Sequence, residues 1–98
     1  MPKAYMVVTY RSISNPDAVA AYAKLAGPAV HAGGGRFIVR GTPAKTYEAG
    51  VMERTVVVEY PSVAAARAVY EGAAYAKALE ALGKNAAVRD MRIVEGAE

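Results

Sequence analysis

The chain has no cysteine and no tryptophan, and only one histidine and one phenylalanine. Without cysteine, no disulfide can staple the fold, no thiolate can hold a metal and no cysteine can act as a nucleophile. A lone histidine supplies too few strong ligands for zinc, which takes about three or four from the protein. No metal and no cofactor are therefore expected. No apolar run approaches the roughly eighteen residues that cross a bilayer. The start, Met1-Pro2-Lys3, lacks the apolar core of a signal peptide. These absences lead to the expectation of a cytoplasmic protein with no membrane partner.

Charge is also sparse and dispersed. Twelve Lys and Arg stand against nine Asp and Glu, a net charge of +3. No two basic residues are adjacent, whereas nucleic-acid binders gather them into a patch or stripe. There is no Gly-x-Gly-x-x-Gly, no Walker sequence and no serine elbow paired with the histidine. The glycine run Gly33-Gly34-Gly35 follows a helix and enters a strand. A phosphate cradle needs the reverse order, so these glycines read as a tight turn.

What remains is a strongly patterned chain of 98 residues, 54% hydrophobic, expected to form one domain over residues 1–98. A domain of this size buries only about two-thirds of the surface of its unfolded chain. A second subunit is a natural way to bury more. Ala4–Tyr10 reads as a strand. Asn15 before Pro16 and Asp17 is an N-cap with proline at the first helical position. Val19, Tyr22, Ala23, Ala26 and Val30 form the apolar stripe of the helix that follows. Gly27-Pro28 is expected to kink or divide that helix. Arg36–Arg40 reads as a second strand, Ala44–Glu48 as a weaker third and Arg54–Tyr60 as a fourth. Pro61 stops it, and Ser62 caps a helix carrying Val63, Ala66, Val69 and Tyr70. Gly72 breaks that helix, Ala73–Leu82 continues as another, Gly83 ends it, and Val88–Val94 closes the chain as a strand. The order predicts an α+β fold, ferredoxin-like, with an antiparallel sheet and its helices on one face.

Strand alternation then divides the sheet. Simple alternation sets Arg36, Ile38 and Arg40 opposite Phe37 and Val39. The face away from the helices would carry Thr9, Arg36, Arg40, Thr55 and Glu59 among Val7, Ile38 and Val57. Such a face is too apolar to be left in water and too polar to be an ordinary core. RNA recognition would need exposed aromatics on the central strands, and this face offers Tyr5 at most. No nucleic acid is expected as a partner.

Two blocks carry a family resemblance. One is Gly34-Gly35-Arg36-Phe37-Ile38-Val39-Arg40-Gly41. The other is Val58-Glu59-Tyr60-Pro61-Ser62 with Ala65-Ala66-Arg67 and Tyr70. With Asn15-Pro16-Asp17 and Tyr75, they make the chain resemble domain-of-unknown-function family 1330, of the dimeric α+β barrel superfamily, from about residue 5 to residue 96. Gly33 and Pro43 depart from the family pattern. The resemblance implies a homodimer formed sheet to sheet, with a cavity between the sheets, and no established substrate.

Candidate residues follow from chemistry. His31 is the one side chain whose ordinary pKa lies near neutrality, and Glu59 is a carboxylate on a strand. These two are weak catalytic candidates. Arg36 and Arg40, on an inward face, would need a carboxylate or an anionic ligand. Glu59 is the obvious internal partner for either. Arg36, Arg40, Thr9 and Tyr75 are the ligand-binding candidates. The functional expectation is a homodimer that binds a small anionic or aromatic molecule, with a non-catalytic dimerisation module as the alternative.

Overall fold

Valine, methionine and tyrosine at alternate positions shape the first strand, β1 (Ala4–Ile13), whose Ala4, Met6, Val8 and Tyr10 are buried while the residues between them are half-buried. Strand β3 (Thr55–Tyr60) repeats the pattern, burying Val56, Val58 and Tyr60. The remaining elements are α1 (Pro16–Ala32), β2 (Arg36–Gly41), α2 (Val63–Tyr70), α3 (Ala73–Leu82) and β4 (Ala87–Glu95). The structure is a computed structural model and describes residues 2–97. The sheet order is β2-β3-β1-β4, with every neighbouring pair antiparallel. This is the ferredoxin-like arrangement, with β3 inserted between β1 and β2.

Local chemistry starts and stops the helices as the sequence leads one to expect. The Asn15 side chain accepts a hydrogen bond from the Ala18 amide at 3.1 Å, with Pro16 in the first turn. Ser62 Oγ accepts from the Ala65 amide at 3.1 Å. Such caps each contribute about 1 kcal/mol. Gly34 takes φ +89°, and a Cβ on Gly35 would lie 2.6 Å from Val30 and 2.8 Å from Tyr60. The turn into β2 therefore needs one glycine for its dihedral and the next for its closeness to the core.

Three expectations are corrected. Helix α1 runs unbroken through Pro28. Proline removes one amide donor, and the carbonyl that loses it belongs to Lys24, four residues back. Both residues are exposed, so water can serve that carbonyl. Ala44–Glu48 is not a strand. Pro43 precedes it, Tyr47 is 76% exposed, Glu48 takes φ +53°, and the Gly50 amide donates to the Tyr47 carbonyl at 2.9 Å in a turn. Without alternating burial the segment has no face to pack, and it stays a loop between β2 and β3.

The third correction decides the site. In β2 the register jumps: Phe37 pairs with Val58, but Val39 pairs with Val57. Ile38 is the extra residue of a β-bulge, and one extra residue reverses the facing of everything after it. Arg36 stays opposite Glu59, while Arg40 now lies opposite buried Val56, on the helix side. Val39, not Arg40, joins Arg36 on the open face.

Candidate functional site

The helix side of the sheet holds a cavity of about 60 Å³. Its floor is the inward rows of β1 and β3, from Met6 and Val8 to Val58 and Tyr60. Its roof comes from α1, where Ala23, Ala26 and Gly27 stand over the floor. Small residues over large ones leave space, and this space has room for a few waters, each needing about 10–15 Å³. Phe37, Arg40 and Arg54 also line it. Because of the bulge, Arg40 lies over the Phe37 ring, its guanidinium carbon 4.5 Å from the ring centre.

Tyrosines dominate the walls: Tyr10, Tyr22, Tyr60, Tyr70 and Tyr75 all line the cavity. The Tyr22 and Tyr75 hydroxyls are hydrogen-bonded to each other, and their rings meet edge to face at 5.9 Å. Burial, reinforced by Tyr22, pushes the Tyr75 hydroxyl far above the ordinary tyrosine value. Burial likewise pushes Tyr60 up to about 12. These hydroxyls stay neutral at physiological pH and can donate hydrogen bonds.

Arg89, on β4 opposite Tyr10, was not picked out in the sequence. Its guanidinium carbon lies 4.7 Å from the centre of the Tyr22 ring and 5.7 Å from that of Tyr10. Its position two residues before Met91 and opposite Tyr10 could have flagged it, had the pairing of the last strand been known.

The other candidates fall in different places. On the open face Arg36 donates to Glu59 Oε1 at 3.1 Å, Tyr5 donates to Oε2 at 3.3 Å, and Lys3 Nζ lies 3.6 Å from Oε2. Burial alone would raise the Glu59 pKa, but the Arg36 hydrogen bond, the Lys3 charge and the Tyr5 hydroxyl together hold it below its ordinary value. Thr9 is on the same face, opposite Thr55, and its hydroxyl reaches the Asp90 carbonyl at 3.4 Å. Tyr75 lies in the helix-side cavity. His31 is exposed in the last turn of α1, its ring 5.7 Å from that of Phe37. It does not itself line the cavity; its neighbour Phe37 does. The structure therefore separates Arg36, Glu59 and Thr9 from Arg40, which simple alternation puts on one face with them, and sets Arg40 and Tyr75 around the cavity. Among the described residues no cluster of three or more His, Asp or Glu could hold a metal ion, and no helix is long and apolar enough to cross a membrane.

A four-stranded antiparallel sheet with helices on one face, a tyrosine-walled cavity beneath them and a bulged edge strand define a ferredoxin-like α+β protein. The chain belongs to the family described as Domain of unknown function (DUF1330), which matches residues 3–97. Among solved structures it is similar to a protein of unknown function from Rhodopseudomonas palustris, at 22% identity and a TM-score of 0.73, covering 99% of this chain and 84% of that one. A methylated form of that protein gives 22% identity and a TM-score of 0.72, over 99% and 82%. A candidate antibiotic biosynthesis monooxygenase from Caulobacter crescentus shares 19% identity with a TM-score of 0.64, over 99% and 92%. At these identities the likeness is one of fold. No curated protein matches the chain.

Proposed function

We propose that the protein is a cytoplasmic homodimer of the α+β barrel type that binds a small aromatic or anionic molecule. The ligand's place is the cavity between helices and sheet within one subunit, instead of the space between two sheets. The observation that carries this reading is the cavity itself, with five tyrosines around it and Arg40 and Arg54 in its lining. Ligand pockets combine a mostly apolar wall with a few placed polar groups in this way. Dimerisation is supported by the open face, where Val39 and Val94 are 47% and 49% exposed beside half-buried Val7 and Val57.

Titration of the full chain with benzamide, a neutral aromatic probe, tests the reading. Saturable heat is expected, and at about 100 times Kd the ligand should stabilise the fold by about 2.7 kcal/mol. Ala23→Leu, which places a larger side chain in the roof, should weaken binding while leaving the circular dichroism unchanged. Absence of saturable binding to the wild type, by benzamide and by its anionic analogue benzoate alike, would overturn the reading. It would then favour the second one, a dimerisation module without a ligand, for which the self-satisfied ion pairs of the open face speak. Turnover is the next question, and oxygenation of a bound aromatic is the first reaction to assay, given the fold shared with the candidate monooxygenase.

A further inference from the structure

Arg89 is a half-buried cation to which the fold gives no ion-pair partner among the described residues. The ion pairs there join Lys3 and Arg36 to Glu59, Arg67 to Glu71 and Arg92 to Asp90. Arg89 has none, and its Nη1 is buried without a hydrogen-bond partner. A desolvated cation without a counter-charge is costly. Stacking over Tyr22 and Tyr10 offsets part of that cost through the negative ring faces. It leaves that Nη1 donor unused, and the planar fork to which it belongs matches a carboxylate bidentately.

The surroundings complete a site. Arg89 lines an open groove between α3 and β4, together with Lys84 and a single carboxylate, Glu80. Tyr70 and Met91 line both this groove and the tyrosine-walled cavity, so the two meet there. The hydrogen-bonded Tyr22–Tyr75 pair uses only one of its two hydroxyl protons internally, because one oxygen must accept. The second proton is free to be donated to an oxygen of a ligand.

We propose that Arg89 is the anion-recognition residue of this protein, and that the ligand is a small aromatic carboxylate. Its ring lies against Tyr70 and Met91 at the edge of the cavity, and its carboxylate takes both arms of the Arg89 fork from the groove side. This rests on the reading of the cavity as a binding site, and it names the chemistry of what binds. It also places the anion on Arg89 and not on Arg40, whose guanidinium lies over Phe37 at the edge strand.

The test compares benzoate with benzamide, which are nearly the same shape and differ in charge, by calorimetric titration of the full chain. Wild type is expected to prefer benzoate by about tenfold or more, the usual worth of a charge-assisted hydrogen bond. Arg89→Met should bring benzoate down to the level of benzamide, so that the preference between the two disappears. Arg89→Lys, which keeps the charge but loses the fork, should fall between. Arg40→Ala should retain the preference. Equal binding of the two probes by wild type would overturn the assignment while leaving the cavity reading intact, and needs no variant to fold. Loss of the preference in Arg40→Ala but not in Arg89→Lys would move the anion to Arg40 and overturn it too. Binding of neither probe would overturn both readings.

Discussion

On the open face of the sheet Glu59 is surrounded by Arg36, Lys3 and Tyr5, so its charge is answered where solvent still reaches. On the helix face, two strands further across, Arg89 is held over aromatic rings with no ion-pair partner among the described residues. The first face is electrostatically complete within one chain. Its unfinished part is apolar: Val7, Val39, Val57 and Val94. The second face is apolar and holds a cavity, and its unfinished part is a charge. A surface that lacks only apolar cover suits a second copy of the chain, whereas a groove whose cation lacks an anion suits a ligand. The same six-residue strand, β2, contributes to both faces because its bulge sends Arg36 to one and Arg40 to the other.

Neighbouring valines offer the largest contrast. Val58 is 3% exposed on the helix face, and Val58→Ala is expected to cost about 2 kcal/mol in urea unfolding, at any protein concentration. Val57 points the other way. Val57→Lys should leave the core intact but lower the mass measured by light scattering from that of a dimer to that of the 10.3 kDa chain. A wild-type mass of one chain at micromolar concentration would remove the dimer and, with it, the meaning given to the open face.

Much of this arrangement was legible in the residues themselves. Alternation over β1 and β3 identifies the two faces because both strands are regular through the stretch they share. Asn15-Pro16, Ser62, Gly72 and Gly83 mark the helix ends because each acts within a turn of its own position. What was not legible depends on partners distant in sequence. The bulge at Ile38 exists only in relation to β3, and nothing in Arg36-Phe37-Ile38-Val39-Arg40 distinguishes a bulged strand from a regular one. Pro28 looks like a break until one knows that its outward side is solvent. Arg89 looks like any alternating strand residue until its neighbour Tyr10 and the ring of Tyr22 are placed around it. The site lies where long-range register mattered most.

A smaller effect belongs to alkaline pH and separates the faces by titration. Tyr60, at about 12, is raised by burial, with Tyr22 adding to it. The unfolded chain would ionise its tyrosines near about 10, so above that pH the unfolded state holds fewer protons and unfolding is favoured. The contribution of the neutral buried hydroxyl is therefore complete below about pH 10 and lost as pH rises toward about 12. Urea midpoints should fall across that window, and Tyr60→Phe should flatten part of the fall. An identical slope in the variant would show that the helix side does not depend on that hydroxyl.

The smallest effect is expected at acid pH, on the open face. Burial opposes the charge of Glu59, but the hydrogen bond from Arg36, the Lys3 charge and the Tyr5 hydroxyl outweigh it and lower its pKa below the ordinary value of about 4.3. The unfolded chain therefore takes up the proton first as pH falls. The stability due to this group is fully present above the ordinary value and is lost as pH drops through the lowered one. Arg36 is 70% exposed, and exposed ion pairs contribute little. The urea midpoint should thus drop only slightly more in wild type than in Glu59→Gln between about pH 6 and about pH 3. The size of that difference sharpens the comparison between the faces. If a second copy covers the open face, water leaves the Arg36–Glu59 pair, and breaking a dry pair is far more costly than breaking a wet one. The difference between wild type and Glu59→Gln should then grow with protein concentration in wild type and vanish in the background of Val57→Lys. A difference that is large at every concentration would mean that the pair is dry within a single chain, which its exposure does not allow.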